Sequence, residues 1–209
     1  MDDAARRDVA ATRILCVEAG LERGGRCRHR HFREDPDGAG KQELLLVGGS
    51  SRERGVITSA AYAVRKFGVR SGMPTAQALR LCPQAVVVPV ARGACSRKHT
   101  QIREVLSAYT PVVEAASIDE FYLDVTGTDA VHHTSSLLEL ATRVRADVLA
   151  RTQISVSIGG GTTRVIAKLA AQRAKPGGVF TVAPGDEIEF MKALDLAAIP
   201  GIGPRFQDK

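Results

Sequence analysis

Apolar and polar positions alternate with a period of two between Phe121 and Val125, where Phe121, Leu123 and Val125 interleave with Tyr122 and Asp124. That is the pattern of a strand with one buried face. Val112 to Glu114 is set to pair with it as a hairpin, with Ser117 to Glu120 at the tip. Ile14 to Val17, Glu43 to Val47 and the alternating Ile154, Val156 and Ile158 read as further strands, and the continuous run Ala85 to Val90 as one buried on both faces. Helical spacing begins at Thr58 with Ala61, Val64 and Arg65 and ends near Gly68; Pro74 opens a second helix at its first position, and Pro83 stops it. Lys98 to Tyr109 carries Ile102, Val105 and Leu106 on one side. Ser136 and Glu139 form a capping box ahead of Leu137, Ala141, Val144 and Val148. Gly159 to Gly161 and Thr162-Thr163 then lead into a helix with Val165, Ile166, Leu169 and Ala170, closed by Lys175-Pro176-Gly177-Gly178.

From Ala85 onward the order is strand, helix, hairpin, helix, strand, helix. It predicts an α+β fold: an antiparallel, split-βαβ (ferredoxin-like) sheet with helices on one face. Between the first two strands, Arg23 to Lys41 is cationic and glycine-rich with no periodic apolar face, and reads as loop or disorder.

Composition narrows the partner. The chain has 209 residues, 29 basic against 23 acidic, for a formal charge of +6, and its pI is near 9.4, which favours a polyanion. Trp is absent and aromatics make up 4% of the chain, so phosphate contact is expected rather than base stacking. No apolar run reaches the roughly 20 residues that cross a bilayer, and the start lacks the apolar core of a signal peptide, so a cytoplasmic protein without membrane attachment is expected. Cys16, Cys27, Cys82 and Cys95 contain no CxxC pair and read as reduced thiols. Cys27, His29 and His31 have ligand chemistry but not the spacing of zinc motifs, and His132-His133 reads as a solvated turn.

Five features carry candidate chemistry, each beside a plainer reading. Adjacent Asp119 and Glu120 at the hairpin tip suit a hard divalent cation, against a solvated tip. The glycine run before a helix could cradle a phosphate, against a tight turn capped by Thr162. Lys175 after a helix could serve as a point charge for phosphate, against helix capping. Tyr62 and Arg65, three apart on one helix, share a face and could donate to a triphosphate, a spacing unremarkable by itself. Ile199 to Pro204, with Gly201 and Gly203, resembles the hairpin of a helix-hairpin-helix whose amides hold DNA phosphate, against a generic Gly-Pro turn.

Taken together, VGG at Val47 to Gly49, the segment Arg54 to Pro83, SIDEFYLDVTG at Ser117 to Gly127, SVSIGGG, AKLAAQRAKPGG and IPGIG resemble the Y-family translesion DNA polymerases of the bacterial DNA polymerase IV type, a UmuC-like domain. The resemblance runs from about Val47 to the end. It implies a palm (10–23 and 85–177), a small helical and stranded fingers domain (24–84) and the start of a helix-hairpin-helix thumb (178–209). It implies a DNA-directed DNA polymerase of lesion bypass that adds deoxynucleotides to a primer 3′ end by two-metal transfer. Asp119 and Glu120 would bind Mg²⁺, and Tyr62, Arg65 and Lys175 would contact the incoming triphosphate. Partners would be primer–template DNA and a deoxynucleoside triphosphate, with a sliding clamp for the full-length relative, and the protein would be a monomer. The chain stops at Lys209, inside what such proteins use as a thumb.

The first motif departs from the pattern. Glu18 falls where a catalytic Asp is expected as a third metal ligand, Gly20 replaces a second acid, and Arg23 lies near the aromatic gate. The extra methylene of a glutamate shifts its oxygens by about 1 Å, and misplacement of that order costs roughly 10²-fold in rate. A non-catalytic, polymerase-like DNA-binding accessory protein is the alternative expectation. Family pattern resumes near Asp35-Pro36, so a locally shifted reading frame is a further hypothesis for residues 18–34. Resequencing the locus is expected to expose such a shift, and recovery of this same frame removes the idea.

Overall fold

The computed structural model describes residues 12–19, 44–50, 52, 54–90, 92–133, 136–195 and 199. The elements run β1 (Ile14–Ala19), β2 (Leu45–Gly48), β3 (Ile57–Ala60), α1 (Tyr62–Arg65), α2 (Thr75–Leu81), β4 (Val86–Val88), α3 (Arg92–Leu106), β5 (Val113–Ala115), β6 (Glu120–Asp124), α4 (Asp129–His132), α5 (Leu137–Thr152), β7 (Val156–Gly161), α6 (Arg164–Arg173), β8 (Val179–Thr181) and α7 (Glu187–Lys192). They make two sheets, a five-stranded one ordered β5-β6-β1-β7-β8 and a three-stranded one ordered β3-β2-β4.

β1 is the centre of the larger sheet, antiparallel to β6 on one side and β7 on the other. Its residues from Leu15 to Ala19 are buried because helices cover both faces. On one face Leu15, Val17, Phe121, Leu123 and Ile158 pack with Ile102, Val105 and Leu106 of α3 and with Leu140, Val144 and Val148 of α5. On the other, Cys16 meets Ala167 and Ala171 of α6. The sequence pattern placed helices on one face only. It could not show α6 crossing to the other, because the decisive residues are glycines and alanines rather than large apolar side chains. The capping box is formed as expected, with Ser136 Oγ accepting from Glu139 N at 3.1 Å.

Gly159 to Gly161 form no turn and no phosphate cradle. They are the last residues of β7, and Thr163 rather than Thr162 caps α6, accepting from Ile166 N. Their role is close approach: a Cβ at Gly159 would lie 2.0 Å from Ala171 N and 2.1 Å from Ala167 O. The helix backbone thus rests directly on the strand.

The smaller sheet revises three expectations. Thr58 does not begin a helix; Ile57–Ala60 is a strand paired antiparallel with β2, as the β-branched run Val56-Ile57-Thr58 favours, and only Tyr62–Arg65 is helical before Gly68 turns the chain at φ +82°. Pro74 is the N-cap of α2, one position earlier than expected. β4 pairs parallel with β2 and is half-buried at the sheet edge, so it is neither a doubly buried strand nor part of the larger sheet. Likewise β8 pairs parallel with β7 in the larger sheet, beyond the expected boundary at 177. His132 docks at the end of α4, its Nε2 2.6 Å from Tyr109 O, instead of facing solvent in a turn. Among the described residues, Cys16, Cys82 and Cys95 are in no disulfide, and no helix is long and apolar enough to cross a membrane.

Replacing Gly159 by Ala forces α6 off the sheet and is expected to destabilise the fold by about 1–3 kcal/mol or more. Gly93→Ala, in the exposed first turn of α3 with only a side-chain nitrogen at 3.5 Å, is expected to be neutral or stabilising. Denaturant unfolding of the two variants measures the difference, and equal stability would contradict the packing described.

Candidate functional site

The register of β1 against β6 pairs Glu18 with Glu120 and Cys16 with Tyr122. Residues two apart on a strand, and residues directly opposite on antiparallel neighbours, share a face. All four side chains therefore point toward α6. Like charges directly opposite in a sheet repel, and at an effective dielectric near 20 two carboxylates 4–5 Å apart cost roughly 3–4 kcal/mol. Glu18 is also only 6% exposed. Such a pair needs counter-charge, and α6 supplies it.

Ala167, Lys168 and Ala171 lie on the helix face that meets the sheet. The small residues let the helix close down while Lys168 Nζ reaches across both strands, 3.3 Å from Glu18 Oε1 and in an ion pair with Glu120 Oε2. Lys175 pairs with Glu18 Oε2 and also donates to Gln172 Oε1 at 2.8 Å. Its position is fixed by the turn after α6. Gly177 N donates to Ser157 Oγ, Gly178 N to Ala174 O and Ile158 N to Gly178 O. Ser157 stands opposite Glu18 on β7, so the turn is tied to the same place on the sheet.

Tyr122 OH completes the shell, donating to Glu120 Oε1 at 2.7 Å, with the Arg164 guanidinium 4.3 Å above its ring and Arg164 paired in turn with Glu114. Burial opposes charge on Glu120, but hydrogen bonds from Lys168 and Tyr122 and the positive field of both lysines outweigh it and hold the carboxyl below its ordinary value. Lys168 is the mirror case: burial disfavours its charge, Glu120 and Glu18 favour it, and the ammonium form is held beyond its usual range. Burial and the two glutamates push the Cys16 thiol up to about 12, so it is an inert neutral group.

The residues singled out in the sequence fall into three sets. Glu18, Glu120 and Lys175 are brought together. Asp119 precedes β6 in the turn; its carbonyl accepts from Ala19 N at 2.7 Å, and its carboxylate accepts from Ser117 Oγ at 2.6 Å. Glu120 is thus already in the strand, so the acids are presented by strand register and turn rather than by one relaxed tip. Arg65 donates from Nε to Ala60 O at 3.0 Å within the smaller unit. Tyr62 opens α1, and its side chain, like Gly201, Gly203, Cys27, His29 and His31, lies outside the described residues.

Sequence reasoning missed Lys168 and His99. Lys168 had a signal, since it sits seven residues before Lys175 on the Ala167–Ala171 stripe. His99 had none that pattern could provide. It stacks on Phe121 at 4.8 Å, and its Nδ1–H donates to Ile118 O at 2.9 Å, bracing the turn that carries Asp119.

Among the described residues no three His, Cys, Asp or Glu side chains converge tightly enough to hold a metal ion by themselves. The donor chemistry nonetheless fits a Mg²⁺ ion that also takes substrate oxygens, because such ions use one or two carboxylates plus phosphate.

A family model described as the impB/mucB/samB family matches residues 33–172. The chain belongs to that family. It is 42% identical over 172 residues to a DNA polymerase IV of Shewanella baltica (strain OS195), covering 82% of this chain and 47% of that protein. It is 39% identical over 165 residues to a DNA polymerase IV of Dehalococcoides mccartyi (strain ATCC BAA-2266 / KCTC 15142 / 195), covering 79% of this chain and 42% of that one. Among solved structures it is similar to DinB from Sulfolobus solfataricus, with TM-score 0.79 and 29% identity over 92% of this chain and 55% of that one. An insertion ternary complex of Dbh DNA polymerase gives TM-score 0.76 and 30% identity, again over 92% and 55%. The α+β architecture is accordingly that of Y-family polymerase palm and fingers. The impB/mucB/samB chain described here spans about half the length of the curated relatives it matches.

The carboxylate–lysine cluster has a pH signature. Glu120 titrates below its ordinary value of 4.5 when folded, so its contribution is present above that value and is lost as pH falls through the folded one. Lys168 titrates above its ordinary 10.5, so its contribution is present below that value and is lost as pH rises through the folded one. Glu120→Gln is expected to flatten the loss of stability as pH falls below 4.5. Denaturant melts across that window check it, and curves parallel to wild type would contradict it.

Proposed function

We propose that this chain is the palm and fingers of a translesion DNA polymerase that transfers a deoxynucleoside monophosphate to a primer 3′ end. The observation that carries the reading is the opposition of Glu18 and Glu120 at the centre of the larger sheet, with Lys168 and Lys175 set against them. In this reading the larger sheet, including β8, is the palm, the smaller sheet with α1, α2 and β4 is the fingers, and the segment after α7 begins the thumb.

Glu120, Asp119 and Glu18 are the residues that would hold Mg²⁺. Bound there, the metal would lower the pKa of the primer hydroxyl and neutralise charge on the departing pyrophosphate. The chain's own groups do the rest. Lys175, and Tyr62 and Arg65 from the fingers, orient the triphosphate by hydrogen bonds and point charge. Tyr122 and Ser117 fix the rotamers of Glu120 and Asp119. Gly201 and Gly203 would offer backbone amides to DNA phosphate. Primer–template DNA supplies sequence choice, so the protein needs no base-reading side chains.

Glu18, in place of an aspartate, favours a second reading, a polymerase-like DNA-binding accessory protein without turnover. Primer extension separates the two. Wild type is expected to incorporate nucleotide in Mg²⁺ and not in chelator, and Asp119→Ala and Glu120→Ala to lose roughly 10²-fold or more. Equal incorporation by wild type and both variants overturns the polymerase reading. No incorporation by wild type, with deoxynucleotide affinity unchanged by chelator, supports the accessory one.

A further inference from the structure

We propose that Lys168 holds the place of a divalent cation between Glu18 and Glu120, and that arrival of the cation drives its ammonium group, together with that of Lys175, onto the phosphates of the bound triphosphate. This rests on the polymerase reading and adds to it a residue and an order of events.

Three of the four carboxylate oxygens of the pair are held by a donor at close range, and the fourth, the buried Glu18 Oε1, has Lys168 as an ion-pair neighbour at 3.3 Å without a hydrogen bond. Glu18 Oε1 and Glu120 Oε2 face Lys168, Glu18 Oε2 faces Lys175, and Glu120 Oε1 accepts from Tyr122 OH. Two carboxylates against two ammonium groups make a neutral cluster. A Mg²⁺ ion must bind oxygens directly at about 2.0–2.1 Å, so it competes with Lys168 for the same gap between strands. With both ammonium groups still in place, it would add two positive charges to a buried site.

Parting sheet and helix to make room would give up the direct packing of the α6 backbone on Gly159. What can move is the lysine stem, four carbons long and carrying a point charge on free rotors. A triphosphate offers the displaced ammonium groups a partner of matching charge. Cation and triphosphate then enter as mutually supporting ligands, and each tightens the other by the same factor. A lysine that neutralises the acids from a fixed position would also raise cation affinity when removed, but its amine would stay equally shielded when the cation binds, so the acylation readout separates the two.

The test uses Mn²⁺ alone as the probe, titrated calorimetrically into the full chain. Lys168→Met is expected to bind it about tenfold more tightly than wild type, or better, with Lys168→Arg unchanged. Lys168→Gln, which keeps a donor without the charge, gives the same tightening and serves if the methionine variant does not fold. On the wild-type protein, saturating Mn²⁺ is expected to raise amine acylation of Lys168 and Lys175 several-fold, read by peptide mass spectrometry. Lys192, whose side chain is 70% exposed, should not change. Mn²⁺ affinity no higher in either uncharged variant, or acylation unchanged at saturation, overturns the proposal. Loss of Mn²⁺ binding in Glu120→Gln alongside those results leaves the metal reading standing and removes only the lysine's role. Undiminished binding in Glu120→Gln removes the metal reading itself.

Discussion

Two carboxylates placed face to face on adjacent central strands are the constraint to which the rest of the larger unit answers. Glu18 and Glu120 share one face by register, Glu18 buried and Glu120 half-buried, where water screens their charges poorly. A fold that needs only stability would fill that face with valine or leucine, as it does on the opposite face with Leu15, Val17, Phe121 and Leu123. Here the acid pair is retained and a helix is brought down to neutralise it. Gly159 and Gly161 of β7 and the alanines of α6 let that helix come close enough for Lys168 to span both strands.

The two faces of one sheet thus do different work. The face under α3 and α5 is a close-packed apolar core whose cohesion fixes the strand register. Register then decides the chemistry on the other face, because a slip of one residue would exchange Glu18 and Glu120 for Val17 and Phe121. The long-range bonds at the sheet's end serve the same purpose. Ala19 N to Asp119 O holds the turn against β1, and His99 braces Ile118 from α3. Positioning of the acids is a property of the whole layer stack and not of the short motif that contains them.

This explains what could be read without coordinates. The strand of Phe121 to Val125, the capped helix after Ser136 and the candidate acids were legible because each is written in local alternation, local capping or adjacent residue types. The register that sets Glu18 opposite Glu120 had no local signal, and only the family resemblance brought the two acids together, since they lie far apart along the chain. The glycine run was misread as a turn because glycine signals both left-handed backbone and close approach, and only the neighbouring helix tells which. β4 was assigned by its order along the chain and β8 fell in the segment given to the thumb, whereas a strand joins whichever sheet offers an unpaired edge, and parallel pairing has no local signature.

A glutamate at position 18 has a definite structural consequence. A glutamate on a central strand reaches farther from the sheet than an aspartate, and the two oxygens of Glu18 are divided between Lys168 and Lys175, which come from the helix and from the turn beyond it. An aspartate, one methylene shorter, would have to give up one of these partners or draw α6 inward, and the backbone contact at Gly159 leaves no inward travel. The longer acid is therefore matched to this helix position, and it ties the turn carrying Lys175 to β1 more firmly than the shorter one could. The same match ties the acid more tightly to its lysines, so any cation entering here meets a stronger competitor. In the polymerase reading, the longer acid would act through the strength of the internal ion pairs as well as through the placement of a metal ligand.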